Sequence, residues 1–215
     1  MSISEEDLTM KYMDFGFRAV YHEFCVIPFD KRFKQLVKHF PNIKKANCLL
    51  TYGYIDRKAG VTLEILAGGR KEGDSFEFFD PDDTSSVKLR IGSVEEEEID
   101  IIDGDVRLRQ RYNEKIEMLR AYDASAIVEK AREITVLDAF RHPYFPDDIQ
   151  VYFIKENRDV EVCWARISGL AEHYLEATLL NEPDQDFGCH VNDKIAVNLY
   201  EQENGEMFCY SNGKI

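Results

Sequence analysis

Positive charge is scarce in this 215-residue chain: 27 Lys and Arg stand against 41 Asp and Glu, a formal net charge of −14. Broad nucleic-acid binding needs Lys and Arg to displace counterions from phosphates, so no nucleic-acid partner is expected. An anionic membrane surface is an equally poor partner. Long apolar runs are missing too, none approaching the roughly 20 residues of a membrane-spanning helix. The first ten residues carry Glu5, Glu6 and Asp7, where a secretory leader would have a basic start and an apolar stretch. These features predict a cytoplasmic protein. Cysteine is sparse and odd in number: Cys25, Cys48, Cys163, Cys189 and Cys209. Scattered reduced thiols fit that count better than a disulfide framework. Neither a Cys-x-x-Cys nor a His-x-x-x-His pair is present among these cysteines and His22, His39, His142, His173 and His190. No metal and no cofactor is therefore expected. A Gly-x-Ser-x-Gly elbow and the Gly-Lys-Ser/Thr ending of a phosphate loop are also missing, so no catalytic residue is assigned.

What is present is enough apolar material for a core: 44% of residues are hydrophobic, with 14 Phe and 11 Tyr. A first helical turn is expected after Ser4. Phe17 to Phe29 is aromatic and β-branched and predicts a strand ending at Pro28. Asp30 is placed to cap a helix whose buried side is Phe33, Leu36, Val37 and Phe40. Lys31, Arg32, Lys34 and Lys38 face outward from it. That basic face could be a binding stripe, although a solvated helix surface is the simpler reading. Ala46 to Ile55 and Val61 to Leu66 predict a hairpin around Asp56 to Gly60, with Gly68-Gly69 and Gly73 breaking the chain beyond it. Asp74 to Asp83 is acidic and aromatic, and Ser86 to Val94 returns to strand alternation. Glu95 to Glu98, with Asp100, Asp103 and Asp105, lacks the calcium-loop pattern and predicts an exposed acidic turn.

From Val106 the period changes: Leu108, Tyr112, Ile116 and Leu119 share one helical face. Asp123 is placed to cap a second helix with Ile127, Ala131 and Ile134 inward. Two prolines in Arg141 to Asp148 mark a boundary. Beyond it, Ile149 to Ile154, Glu161 to Ile167, Tyr174 to Leu180, Lys194 to Tyr200 and Glu206 to Tyr210 predict five short strands. The fold class is therefore α+β: residues 1–146 form an antiparallel or mixed sheet with packed helices, and residues 147–215 a small, mainly β curled sheet or barrel.

The most distinctive stretch is Val162 to Tyr200. It contains Cys163-Trp164-Ala165-Arg166-Ile167, Leu179-Leu180-Asn181-Glu182-Pro183, Asp186-Phe187-Gly188-Cys189-His190 and Val191-Asn192-Asp193-Lys194-Ile195. Over roughly residues 148 to 210 this resembles an uncharacterised bacterial domain family called YegJ-like. That family is similar to immunity-protein-like modules found beside bacterial toxins. Asn192 stands where the family's turn carries Gly, and Asn tolerates a positive φ. Cys209-Tyr210-Ser211 stands where many members close with an Asp-Trp pair.

Each motif also has a purely structural reading. Trp164 would fill the core of the small sheet. Asn181 would start a turn that Pro183 fixes, and Asp193 would close a tight turn by accepting backbone N–H groups. Read instead as a binding surface at one end of the sheet, the candidate residues are Trp164, Asn181, Glu182, Asp186, His190 and Asp193. The resemblance implies a non-enzymatic protein-binding module of immunity or accessory type, whose partner would be a basic protein such as a toxin. The alternative is a metal-dependent hydrolase or other small-molecule enzyme using Glu182, Asp186 and His190. That reading requires those three side chains to converge.

Overall fold

The computed structural model of the chain describes residues 10–73, 75–80, 86–102 and 105–215. The expected turn after Ser4, and Asp74, Asp83 and Asp103 of the acidic stretches, lie outside them. The fold is α+β, in two compact units, Met1–Asp123 and Ala124–Ile215. The division comes ahead of the Pro143 to Pro146 stretch, not at 146/147. The reason is packing: Ala131 and Leu137 share one buried core with Ile149, Val151 and Phe153.

In the first unit the strands are β1 (Met10–Lys11), β2 (Phe24–Pro28), β3 (Cys48–Asp56), β4 (Gly60–Glu72), β5 (Ser75–Phe78), β6 (Lys88–Arg90) and β7 (Glu98–Ile102). They form one antiparallel sheet in the order β1-β7-β2-β3-β4-β5, with β6 paired to the first half of β4. The β3–β4 hairpin turns where the sequence predicts, and Asp56 Oδ1 accepts the Lys58 N–H at 2.9 Å. Apolar residues run almost without interruption through both strands, which are buried on both faces over most of their length.

Gly68-Gly69 does not break the chain but lies inside β4. A Cβ on Gly68 would come 2.8 Å from Ile43 Cδ1, and one on Gly69 2.8 Å from Phe78 Cδ1, so close packing there leaves no room for a side chain. Short helix α1 (Tyr12–Phe15) precedes the predicted Phe17 strand, and α2 (Phe17–Val20) replaces its start. Helices α3 (Val106–Arg111) and α4 (Asn113–Leu119) carry the predicted face: Leu108, Tyr112, Ile116 and Leu119 are buried against Phe24, Val26, Leu50 and Tyr54. Asp105 caps α3, accepting the Arg107 and Leu108 N–H groups at 2.8 and 3.0 Å.

The predicted helix after Asp30 is instead a series of tight turns, with a 3-10 segment at Lys31–Phe33 and another at Ile43–Lys45. Asp30 still caps, accepting the Arg32 N–H at 2.9 Å. Phe33, Val37, Phe40 and Ile43 are buried, while Leu36 is exposed. Short turns meet the same burial requirement as a helix, and so short a stretch gains little from helical propagation. The acidic run is paired rather than free: Glu96 bonds Lys11, Glu97 bonds Arg32 and Asp100 bonds Lys71.

The second unit opens with α5 (Ala126–Arg132). Its N-terminal flank is Ser125, and Val128 and Ala131 are its buried apolar positions; Asp123 is not its cap, and Ile127 is exposed. After β8 (Arg141–His142) come β9 (Phe145–Phe153), β10 (Glu161–Leu170), β11 (Leu175–Leu179), β12 (Lys194–Glu201) and β13 (Met207–Ser211), close to the predicted spans. Each pairs antiparallel with the next from β9 to β13. Strand β13 then pairs in parallel with β9, Tyr210 opposite Tyr152 and Ser211 opposite Phe153, and the five strands close into a barrel. Every second residue points inward: Ile149, Val151 and Phe153, then Cys163, Ala165 and Ile167, then Leu175, Ala177 and Leu179.

Three arginines fasten this unit. Arg132, 3% exposed, donates to both oxygens of buried Asp147 at 2.9 and 2.8 Å and to Glu129 at 2.9 Å. Arg141 donates to the Ala131 carbonyl at 2.6 Å and to the Pro146 carbonyl. Arg166 grips Asp148 at 2.6 and 2.8 Å. These bidentate pairs tie α5 and β10 to the start of β9.

Candidate functional site

The predicted site residues sit on the barrel in two groups. Trp164 is on β10, but the register sends Cys163 and Ala165 into the core and turns Trp164 to the outer wall. Trp164 is half-buried there with its ring 5.4 Å from that of His142, outside the core that the structural reading expects it to fill. Asn181 lies just past the end of β11 and extends the ladder there. Leu180 N–H donates to the Trp164 carbonyl at 2.8 Å, and Trp164 N–H donates to Asn181 Oδ1 at 2.7 Å. The amide side chain takes the place of one more strand residue.

Glu182, His190 and Asp193 form the second group. Glu182 accepts His190 Nδ1–H at 2.6 Å and the Val191 N–H at 2.8 Å. Asp193 accepts the His190 N–H at 2.9 Å, as the turn reading predicts, and Lys214 Nζ at 2.9 Å. Asn192 sits at φ 72°, the left-handed conformation expected of it. These contacts shape the 180–193 loop, which sends Phe187 and Cys189 into the barrel core. The Val191 amide and the His190 ring hold the Glu182 carboxyl below the usual carboxylate range. The Glu182 hydrogen bond raises the His190 ring above the ordinary imidazole value. Asp186 turns to its own loop and accepts the Gly188 N–H at 2.9 Å. Among the described residues, no three His, Cys, Asp or Glu side chains are placed to hold a metal ion.

The sequence reading passes over Glu161, whose carboxylate accepts the Asp184 and Gln185 N–H groups at 2.7 and 3.2 Å. It also passes over the outer wall of the barrel, which is the larger feature. There Tyr152 stands opposite Val162 on β10 and Tyr210 on β13, and Tyr200 stands opposite Phe208. The Tyr152 and Phe208 rings meet edge to face at 5.5 Å, and those of Tyr200 and Tyr210 at 6.4 Å. Tyr200 is 54% exposed and Val162 45%. At the end of the same hairpin, Glu201, Glu203 and Glu206 are exposed. From Ile195 to Gly213 the chain has no Lys, Arg or His. The signal for this surface was the alternation itself: in a closed barrel, the aromatics between the core positions must face outward.

Among the described residues, no helix is long and apolar enough to cross a membrane. Comparison with family models, with curated proteins and with solved structures finds no match.

Proposed function

We propose that the chain is a non-enzymatic protein-binding module of immunity or accessory type, whose barrel takes a basic protein such as a toxin. The observation that supports this is the β12–β13 hairpin, where Tyr200, Phe208 and Tyr210 lie on the outer wall, exposed Glu201, Glu203 and Glu206 lie at the hairpin's end, and no Lys, Arg or His occurs from Ile195 to Gly213. Aromatic faces and carboxylates together suit Arg and Lys: the rings attract the cation's face and the acids its charge. The unit's net charge supports the same partner, since residues 124–215 hold 17 acids against 8 bases. Such a field speeds encounter with a basic surface and makes the complex sensitive to salt. Trp164, with His142 beside it, extends the aromatic area along β10.

The test is affinity capture from the native cell lysate at low and moderate salt, with the wild type beside two variants. One is Tyr200→Ser with Phe208→Ser; the other is Glu201→Gln, Glu203→Gln and Glu206→Gln together. A single basic partner lost from the aromatic variant, and recovered only at low salt with the acid variant, is the expected result. A partner held equally by all three forms, or no partner at either salt, overturns the reading.

A further inference from the structure

The first unit holds a feature that the protein-binding reading does not use. Between Phe29 and Ala46 the surface is hollowed into a cavity of about 550 Å³, within the range of small-molecule sites. Four lysines, Lys31, Lys34, Lys38 and Lys44, line it, and Phe29, Ile43 and Ala46 supply its apolar surface. The turns described above build it. Lys31, Lys34 and Lys38 are exposed while Phe33, Val37 and Phe40 are buried. Pro41 then ends the run, and Asn42, at φ 55°, reverses the chain so that Ile43 and Lys44 line the same hollow.

The pairing of these lysines is the telling observation. In a chain with 14 more acids than bases, cations find carboxylates easily. The neighbouring Arg32 does so, bonding Glu97 and, at 3.2 Å, the Ser93 carbonyl. None of the four cavity lysines has an ion pair or a side-chain hydrogen bond among the described residues. Like charges gathered around one hollow repel, and an anion placed among them relieves the repulsion. The hollow also limits the anion's size. The chain's net charge of −14 disfavours an extended polyanion such as a nucleic-acid strand. A small ligand would stay inside. Lysine, a point charge on a flexible stem, suits a phosphate without the fixed geometry of an Arg fork.

We propose that this cavity binds a small organic phosphate, with the phosphate dianion among Lys31, Lys34, Lys38 and Lys44 and an apolar or aromatic body against Phe29 and Ile43. The inference is independent of any partner on the barrel.

The test titrates the full-length ¹⁵N-labelled protein with phenyl phosphate, inorganic phosphate and benzyl alcohol. The expected result is a saturable shift of the Ile43, Lys44 and Ala46 amides. Phenyl phosphate should bind about tenfold or more tighter than inorganic phosphate, because only it uses the apolar surface. Benzyl alcohol should bind more weakly still. Lys34→Gln and Lys38→Gln, at exposed positions that leave the fold intact by circular dichroism, should each weaken phenyl phosphate about tenfold. Lys58→Gln, which changes the net charge equally from the β3–β4 turn at the far end of the ladder from Cys48 and Gly69, should leave it within about twofold. Three outcomes overturn the proposal: equal affinity for inorganic and phenyl phosphate, shifts that miss Ile43 and Ala46, or equal weakening by Lys58→Gln and Lys34→Gln.

Discussion

The two units share an antiparallel meander but treat its edges and its cations differently. The first leaves its sheet open and ends it in short strands, β1 at Met10–Lys11 and β5 at Ser75–Phe78. The second closes on itself through β13 and β9. The barrel unit buries two of its four arginines: the Arg132 and Arg141 side chains are 3% and 4% exposed, and both are bonded to carboxylates or carbonyls. The sheet unit keeps most of its cations at the surface, and its buried charge is less well satisfied. Glu64 is fully buried in β4 with Lys115 Nζ 3.1 Å from one oxygen, yet among the described residues neither oxygen accepts a hydrogen bond of good geometry. The proximity is electrostatic, and the missing alignment marks it as the weaker arrangement. Closure thus goes with a bonded ionic frame, whereas the open sheet tolerates an imperfect one and, among the described residues, leaves the four lysines of its hollow unpaired.

The largest expected effect breaks that frame. Asp147→Asn leaves Arg132 buried without its bidentate acid and should cost the barrel about 3–5 kcal/mol in urea unfolding. In contrast, replacing the less satisfied pair by Glu64→Leu with Lys115→Met should be neutral or stabilising. A loss as large as that of Asp147→Asn would show that the two ion pairs are equivalent, and the contrast would fall.

A second comparison uses glycine. A Cβ on Gly53 would lie 1.9 Å from the Val20 carbonyl oxygen, which is backbone and cannot swing away, so Gly53→Ala should cost about 3 kcal/mol. On Gly169 the nearest atom is the end of the Glu176 side chain at 3.0 Å, which can move, so Gly169→Ala should cost less than about 1 kcal/mol. Similar losses of thermal stability in the two variants would contradict this.

The thiols separate the units in one experiment. Burial pushes Cys48 and Cys163 up to about 11 and Cys209 up to about 12, and Cys25 and Cys189 are raised for the same reason. All five are free and buried, so native protein at pH 8 should resist alkylation. In rising urea, Cys25 and Cys48 should label together as the sheet opens, and Cys163, Cys189 and Cys209 together as the barrel does, resolved by peptide mass spectrometry. Labelling of single cysteines at scattered urea concentrations would deny that each unit opens as a whole.

The smallest effect lies in the exposed 180–193 loop. His190 should titrate above the ordinary imidazole value by NMR and return to it in Glu182→Gln. The raised ring means that its contribution is full below the ordinary histidine range and disappears as pH rises through the raised value. The lowered Glu182 carboxyl keeps its own contribution above the ordinary carboxylate range and loses it as pH falls through the lowered value. An unchanged His190 titration in the variant would rule out the pairing in solution.

Much of this architecture was legible in the sequence because periodicity reports burial directly. Leu108, Tyr112, Ile116 and Leu119, and the five barrel strands, were readable for that reason. Periodicity failed where two geometries satisfy it. The 33–40 spacing fits 3-10 turns as well as a helix, and Trp164 between Cys163 and Ala165 had to face one way or the other. Gly68-Gly69 resembled a break because its cause, the approach of Ile43 and Phe78, is tertiary. The unit boundary followed the core rather than the prolines. The aromatic wall and the lysine hollow both depend on chain reversals, at β13 and at Asn42, that no local pattern announces.

The closing pair of the barrel also sets an order of events during synthesis. The hairpins from β9 to β12 join near neighbours and can form as each leaves the ribosome, but β9 must wait for β13 before its second edge is covered past Ile149. Until Ser211 has emerged, the nascent unit exposes the Tyr152–Phe153 backbone together with the inner wall of Val151 and Phe153. It is then a sheet with a sticky margin. A chain cut before Met207 would keep that margin exposed, whereas one that includes Ser211 can close the barrel.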